Sequence, residues 1–237
     1  MKTLIYLIRH AQPIKTEFKN VNNSDDSQMQ NEKQVLSLKG EKQAFELSKK
    51  DILKKIDSVY SSKYVRAIGT AKYIASENNI PILIDERLGE RKLGVEEKSK
   101  EFWLEQMYNE DTKTIGGESQ KEVRKRMIES IEDILKNEKG KKVAVVTHAT
   151  AMTFLLMNWC KLENAILDGK KRKLSFNNKI VIDDSFNTPE VFELVFDADV
   201  IYSIKRINLN KNSWDKLLLF LVLFAWLYII KIRIKCF

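Results

Sequence analysis

Two short stretches, residues 3–8 and 142–147, are apolar at successive positions instead of alternate ones, and a histidine stands just past the end of each. A strand of that kind buries both faces, so helices must cover it above and below. The rest of the chain supplies them. Residues 37–56 place Ala44, Leu47 and Ile52 on one side of a helix, and residues 63–78 repeat Val65, Ile68, Ala71 and Ile74 at three-residue steps. After the break at Gly116-Gly117, Ser119 and Glu122 form a capping-box pair that opens a helix through Val123, Met127, Ile131, Ile134 and Leu135, ended by Gly140. Short strands at 57–61 and 81–84 and a helix at 149–160 complete an alternation of strand and helix. The expected fold is α/β with a mainly parallel sheet covered on both faces. Strand candidates at 173–182, 190–196 and 200–207, joined by Asp183-Asp184 and Asp197-Ala198-Asp199, read as a terminal antiparallel meander. The polar residues 19–33 read as a loop.

A chain of 237 residues with 43% hydrophobic residues can bury a sizeable core, and its 8 Gly, 3 Pro and 2 Cys exclude collagen-like, low-complexity and disulfide-scaffold classes. Cys160 and Cys236 are far apart with no metal-binding spacing, which fits a reducing compartment and a cytoplasmic catalytic domain. The net charge of +8 invites a nucleic-acid reading, but seven basic residues against the single acid Asp215 lie from Lys205 to the end. The body is therefore nearly balanced and lacks a basic stripe with interleaved aromatics, so nucleic acid is excluded as a partner. Two parts follow: a catalytic domain over residues 1–207 and a basic hydrophobic tail over 208–237. In the tail, residues 217–230 are an unbroken apolar run, about 21 Å long as a helix. Extended to residues 214–234 the run approaches the ~30 Å of a hydrocarbon core, with Lys216, Lys231 and Arg233 near its ends, a candidate membrane anchor. A buried terminal helix or an unstructured hydrophobic tail is the competing reading.

The chemistry lies in the body. His10 and His148, the only histidines, each stand at the carboxyl end of an expected parallel strand, where α/β folds place ligands. Arg9 offers a planar fork for phosphate oxygens and disfavours the imidazolium beside it, which keeps a ring nitrogen available as a nucleophile. Arg66 opens the helix after residues 57–61, next to Ser61 and Ser62. Together they describe a pocket for a dianionic phosphoryl group. No metal-ligand set and no glycine-rich nucleotide motif accompanies them, so no cofactor or metal is expected. Glu90, in the loop after residues 82–84, is the candidate proton donor. Residues 15–33 and the stretch 102–111, with Phe102, Trp103 and Tyr108, are candidates to roof the pocket.

Five segments carry a resemblance: Ile8-Arg9-His10-Ala11; residues 59–71 with Ser61, Ser62 and Arg66; Arg87-Leu88-Gly89-Glu90-Arg91; Gly116-Gly117-Glu118-Ser119; and Val146-Thr147-His148-Ala149. In this order they resemble the motifs of the histidine phosphatase superfamily, also called the phosphoglycerate mutase-like family. The resemblance spans roughly residues 1–207. It implies a three-layer α/β/α sandwich, phosphorylation of His10, substrate binding by Arg9, Arg66 and His148, and Glu90 as the acid. His148 would be protonated while it stabilises the transferring group. The family usually has Gly after each histidine, whereas Ala11 and Ala149 stand here, so both need negative φ. The implied activity is hydrolysis of small phosphomonoesters through phosphohistidine, without metal. Mutase-type transfer and a catalytically silent, membrane-attached phosphate-binding protein are the alternatives, and the oligomeric state stays open.

Overall fold

In the computed structural model, which describes residues 1–15, 24–94 and 100–209, the first apolar stretch forms strand β1 (Lys2–Arg9). Along the chain follow α1 (Ser24–Lys33), α2 (Leu38–Ser48), β2 (Ser58–Ser61), α3 (Val65–Asn78), β3 (Ile82–Ile84), α4 (Lys100–Tyr108), α5 (Gln120–Asn137), β4 (Lys142–Thr147), α6 (Ala149–Leu156), β5 (Lys161–Ile166), β6 (Lys171–Phe176), β7 (Lys179–Asp184), β8 (Glu190–Asp197) and β9 (Val200–Arg206). The compact unit Met1–Ile207 holds these elements.

The main sheet has the order β3-β2-β4-β1-β8-β9. β3, β2, β4 and β1 run parallel, and the β8–β9 hairpin adds two antiparallel strands beside β1. The sheet is therefore mixed instead of mainly parallel. Ile5 and Leu7 of β1 and Val143 and Val145 of β4 face a core shared with Val123, Met127, Ile131 and Ile134 of α5 and with Met152 and Phe154 of α6. The pleat sends Tyr6, Ile8, Ala144 and Val146, all buried, to the opposite face, and α3 packs against β2 and β4 there. Helices thus cover the sheet above and below, which is why β1 and β4 tolerate no polar alternation.

The meander expected from residue 173 onward is divided between two sheets. Residues 173–182 break into β6 and β7 at Asn177-Asn178, both with positive φ (49° and 61°), the backbone of a two-residue hairpin turn that Asn tolerates. β5, which the sequence reading left out, completes a three-stranded antiparallel sheet in the order β5-β6-β7. The helix expected over 37–56 stops at Ser48, whose hydroxyl donates to the carbonyl of Phe45, and Lys50 turns extended. Leu53 and Ile56 are buried, but beyond the end of the α-helix: Leu53 closes a separate 3-10 turn, Asp51–Leu53, and Ile56 lies after it. Within the expected loop 19–33, residues 24–33 are helical. That helix has no apolar stripe and is held by polar contacts, so hydrophobic periodicity does not reveal it. The Ser119–Glu122 capping box is present at the start of α5.

Among the described residues no helix is long and apolar enough to cross a membrane. The apolar run expected to anchor the chain, residues 217–230, lies outside the described residues.

Candidate active site

The parallel strands end in register. His10 donates its backbone N–H to the carbonyl of Thr147 (3.0 Å), Ser62 to Val146 (3.1 Å) and Asp85 to Ser61 (3.0 Å). The carboxyl ends of β1, β2, β3 and β4 therefore open onto one edge, and the segment after each strand contributes a polar group there.

His10 and His148 face each other with ring centroids 5.0 Å apart. His10 Nδ1 lies 2.7 Å from the carbonyl oxygen of Ala11, which can only accept, so Nδ1 carries the proton. Its Nε2 then presents a lone pair, and Arg66 Nε donates to it at 3.1 Å. His148 Nε2 meets the hydroxyl of Ser62 at 2.7 Å, while its Nδ1 is buried without a hydrogen-bond partner among the described residues. Both imidazoles are pushed well below the ordinary histidine range. Burial is the first cause for each, followed by Arg66 for His10 and by His10 for His148. Burial therefore disfavours the protonated His148 expected from the resemblance; a bound anion would supply the compensating charge.

Arg9, at the end of β1, donates through one terminal nitrogen to the carbonyls of Phe186 (2.8 Å) and Asn187 (2.9 Å), and its buried Nε has no partner among the described residues. Asn187 is pinned in turn. Its N–H donates to Glu190, and Arg206 clasps both Glu190 oxygens and Asp184. Arg66, on the first turn of α3, also donates to the carbonyl of Asn31 on α1. Ser62 serves His148 and does not cap α3, whose N-cap Tyr64 makes no side-chain cap.

Glu90 follows the short 3-10 turn after β3. Its Oε1 accepts from the amide of Ala151 (2.9 Å) and its Oε2 from that of Thr150 (3.3 Å), both in the first turn of α6, the helix that His148 caps. Thr147 ties this loop down by donating to the carbonyl of Leu88 at 2.7 Å. The carboxylate thus sits on exposed amides at a helix start, next to the second histidine.

Two features were not read from the sequence. The Tyr64 ring lies 4.4 Å from the His148 ring and 4.7 Å from the Arg66 guanidinium carbon, walling the pocket. Its place between Ser62 and Arg66 in the motif was the available signal. The roof also differs in part. Gln28 and Asn31 of α1 reach Tyr64 and Arg66, whereas Trp103 is buried in the main core and Tyr108 hydrogen-bonds to β5. Ala11 and Ala149 both have negative φ, so neither is strained by the missing glycine. Among the described residues no group of three His, Cys, Asp or Glu side chains is placed to hold a metal ion.

The sequence model of the histidine phosphatase superfamily (branch 1) matches residues 5–182. The chain belongs to this superfamily. A probable phosphoglycerate mutase GpmB of Salmonella paratyphi A is 28% identical over 162 residues, covering 64% of this chain and 72% of that one, and its Enterobacter counterpart matches equally. Solved structures share the architecture. The mycobacterial glucosyl-3-phosphoglycerate phosphatase is 18% identical with a TM-score of 0.57 over 90% of this chain and all of that one. Phosphoserine phosphatase of Entamoeba histolytica, solved with 3-phosphoglyceric acid, is 17% identical with a TM-score of 0.59, over 87% and 98% of the two chains.

Proposed function

We propose that the chain is a phosphomonoesterase that passes the phosphoryl group of a small substrate to His10 and then to water. The observation that carries this reading is the His10 ring. Nδ1 is locked as donor by the Ala11 carbonyl, and Nε2 is left neutral with its lone pair toward the guanidinium of Arg66.

In the first step Nε2 attacks phosphorus in line, the P–N bond forms and the ester P–O bond breaks. Arg66 gives up Nε2 and joins Arg9 and His148 in donating to the equatorial oxygens. Glu90 protonates the departing oxygen. The phosphorylated ring becomes cationic, and its Nδ1–H keeps the Ala11 carbonyl as partner. In the second step water attacks the phosphohistidine with Glu90 accepting its proton, which releases inorganic phosphate and restores neutral His10. The unpartnered His148 Nδ1 and Arg9 Nε are polar positions that substrate oxygens would satisfy.

The similarity to probable mutases favours a second reading, in which phosphohistidine returns its phosphoryl group to a substrate hydroxyl. Incubating the full chain with p-nitrophenyl phosphate separates the readings. Phosphate release together with an acid-labile label on His10, both lost in His10→Ala, supports the phosphatase. Transfer without net phosphate release supports the mutase, and hydrolysis surviving in His10→Ala removes the nucleophile.

We also infer that the apolar tail anchors this unit to a membrane. The full chain is expected in the membrane fraction and a chain ending at Asn208 in the supernatant; equal partition of the two would remove the anchor.

A further inference from the structure

We infer that Arg172 binds a carboxylate on the leaving-group portion of the substrate and so selects carboxylated phosphomonoesters, an inference that rests on the phosphatase reading of the His10 site. Arg172 stands on β6, in the small sheet, away from the strands that carry the histidines. It is 6% exposed, yet among the described residues no carboxylate pairs with it. One terminal nitrogen donates to the Thr153 hydroxyl (3.1 Å) and the other to the Lys170 carbonyl (2.8 Å), both neutral acceptors, and the buried Nε has no partner among the described residues. The guanidinium lies over the Phe186 ring (4.2 Å) and near that of Trp103 (5.6 Å). These rings attract a cation but do not neutralise it.

Elsewhere three partly exposed arginines are neutralised: Arg206 takes Glu190 and Asp184, Arg126 takes Glu118, and Arg87 takes Asp85, whereas the buried Arg66 already faces the histidines of the phosphoryl site. Arg91, also without a carboxylate among the described residues, donates to Gln106 and stacks on Phe102 instead. What distinguishes Arg172 is its neighbour. The same Phe186 whose ring it covers gives its carbonyl to Arg9, so one residue seats both guanidiniums. Thr153, its other contact, belongs to the helix that presents His148 and holds Glu90. Arg172 is within electrostatic reach of Arg9 and Glu90, and burial with the Arg9 charge pulls it down to about 10, so it stays cationic at neutral pH.

A buried cation without a counter-ion is unfavourable unless something arrives to pair with it. The phosphoryl group already has Arg9, Arg66 and His148. A further guanidinium within electrostatic reach of Arg9, with Nε–H and one N–H on each terminal nitrogen uncommitted, matches the two coplanar oxygens of a carboxylate on the same molecule. Such a desolvated polar site also rejects the analogue that lacks the group.

The test compares kcat/KM of the full chain for 3-phosphoglycerate and glycerol 3-phosphate, which differ at the carboxylate, with p-nitrophenyl phosphate as reference. The wild type is expected to prefer the carboxylated ester by at least ~10-fold. Arg172→Lys and Arg172→Leu are expected to lose about 100-fold on that ester, mostly in KM, while p-nitrophenyl phosphate changes less than about 3-fold. Hydrolysis of p-nitrophenyl phosphate by the wild type without a carboxylate preference overturns the inference, and that comparison needs no folded variant. Parallel loss on all three substrates in soluble Arg172 variants overturns it too, because a purely structural strut gives that pattern. A wild type that neither hydrolyses any of the three nor binds orthovanadate instead removes the phosphatase reading itself.

Discussion

His10 and His148 are shut off from water beside Arg66, so a proton that the unfolded chain accepts at about pH 6.5 is refused by the folded one. The sign follows from linkage. Above pH 6.5 both states hold the rings neutral; below it only the unfolded state gains protons, and stability falls until the depressed folded values are reached. Each excluded proton weakens the fold by about 1.4 kcal/mol per pH unit in that window. Thermal unfolding is expected to drop more steeply between pH 6.5 and 5 in the wild type than in His10→Gln/His148→Gln. Identical slopes would show that the rings take up protons without penalty. The meeting of these two histidines was legible in the sequence because both follow fully apolar strands, and such strands pair in parallel at the sheet centre. Arg172 was not legible, because its meaning depends on what it lacks as a neighbour, and residue order does not report missing partners.

At the level of elements, α2 begins against the backbone that leaves β1. Gly40 is packed so closely on Gln12 that an added Cβ would lie 2.0 Å from the Gln12 carbonyl oxygen, the same oxygen that accepts from the Ser37 amide and hydroxyl. Gly40→Ala is expected to destabilise by about 1–3 kcal/mol and to lower turnover by shifting the segment just after His10. Chemical denaturation and the p-nitrophenyl phosphate rate measure both effects, and wild-type values would show that this contact yields freely. Elements with a local signature were readable. The capping box starts α5 where Ser119 and Glu122 place it, and the Asp197-Ala198-Asp199 turn joins β8 to β9. Elements defined by remote contact were not. α1 has no apolar stripe, and its Gln28 side chain and Asn31 backbone carbonyl reach Tyr64 and Arg66 only after α3 has been set in place. The Asn177-Asn178 turn lies inside a run that alternates well enough to pass for one strand.

Across the whole molecule, the strand and helix alternation announced a layered α/β fold, and the superfamily match agrees with it. The mixed character of the sheet was hidden because β8 is apolar enough to read as either an inner parallel strand or an antiparallel partner, and only its pairing with β1 decides. The division of β6–β7 from β8–β9 is likewise a matter of partners far away in sequence. β1 itself shows the cost of that arrangement. Leu4 bonds in register with Lys142 on one side and Val195 on the other. A ribosome therefore releases the apolar β1 long before either of its mates, β4 from residue 142 and β8 from residue 190. For most of translation that ribbon has two bare edges, so the nascent chain needs shielding by a chaperone or by transient non-native pairing until β8 emerges.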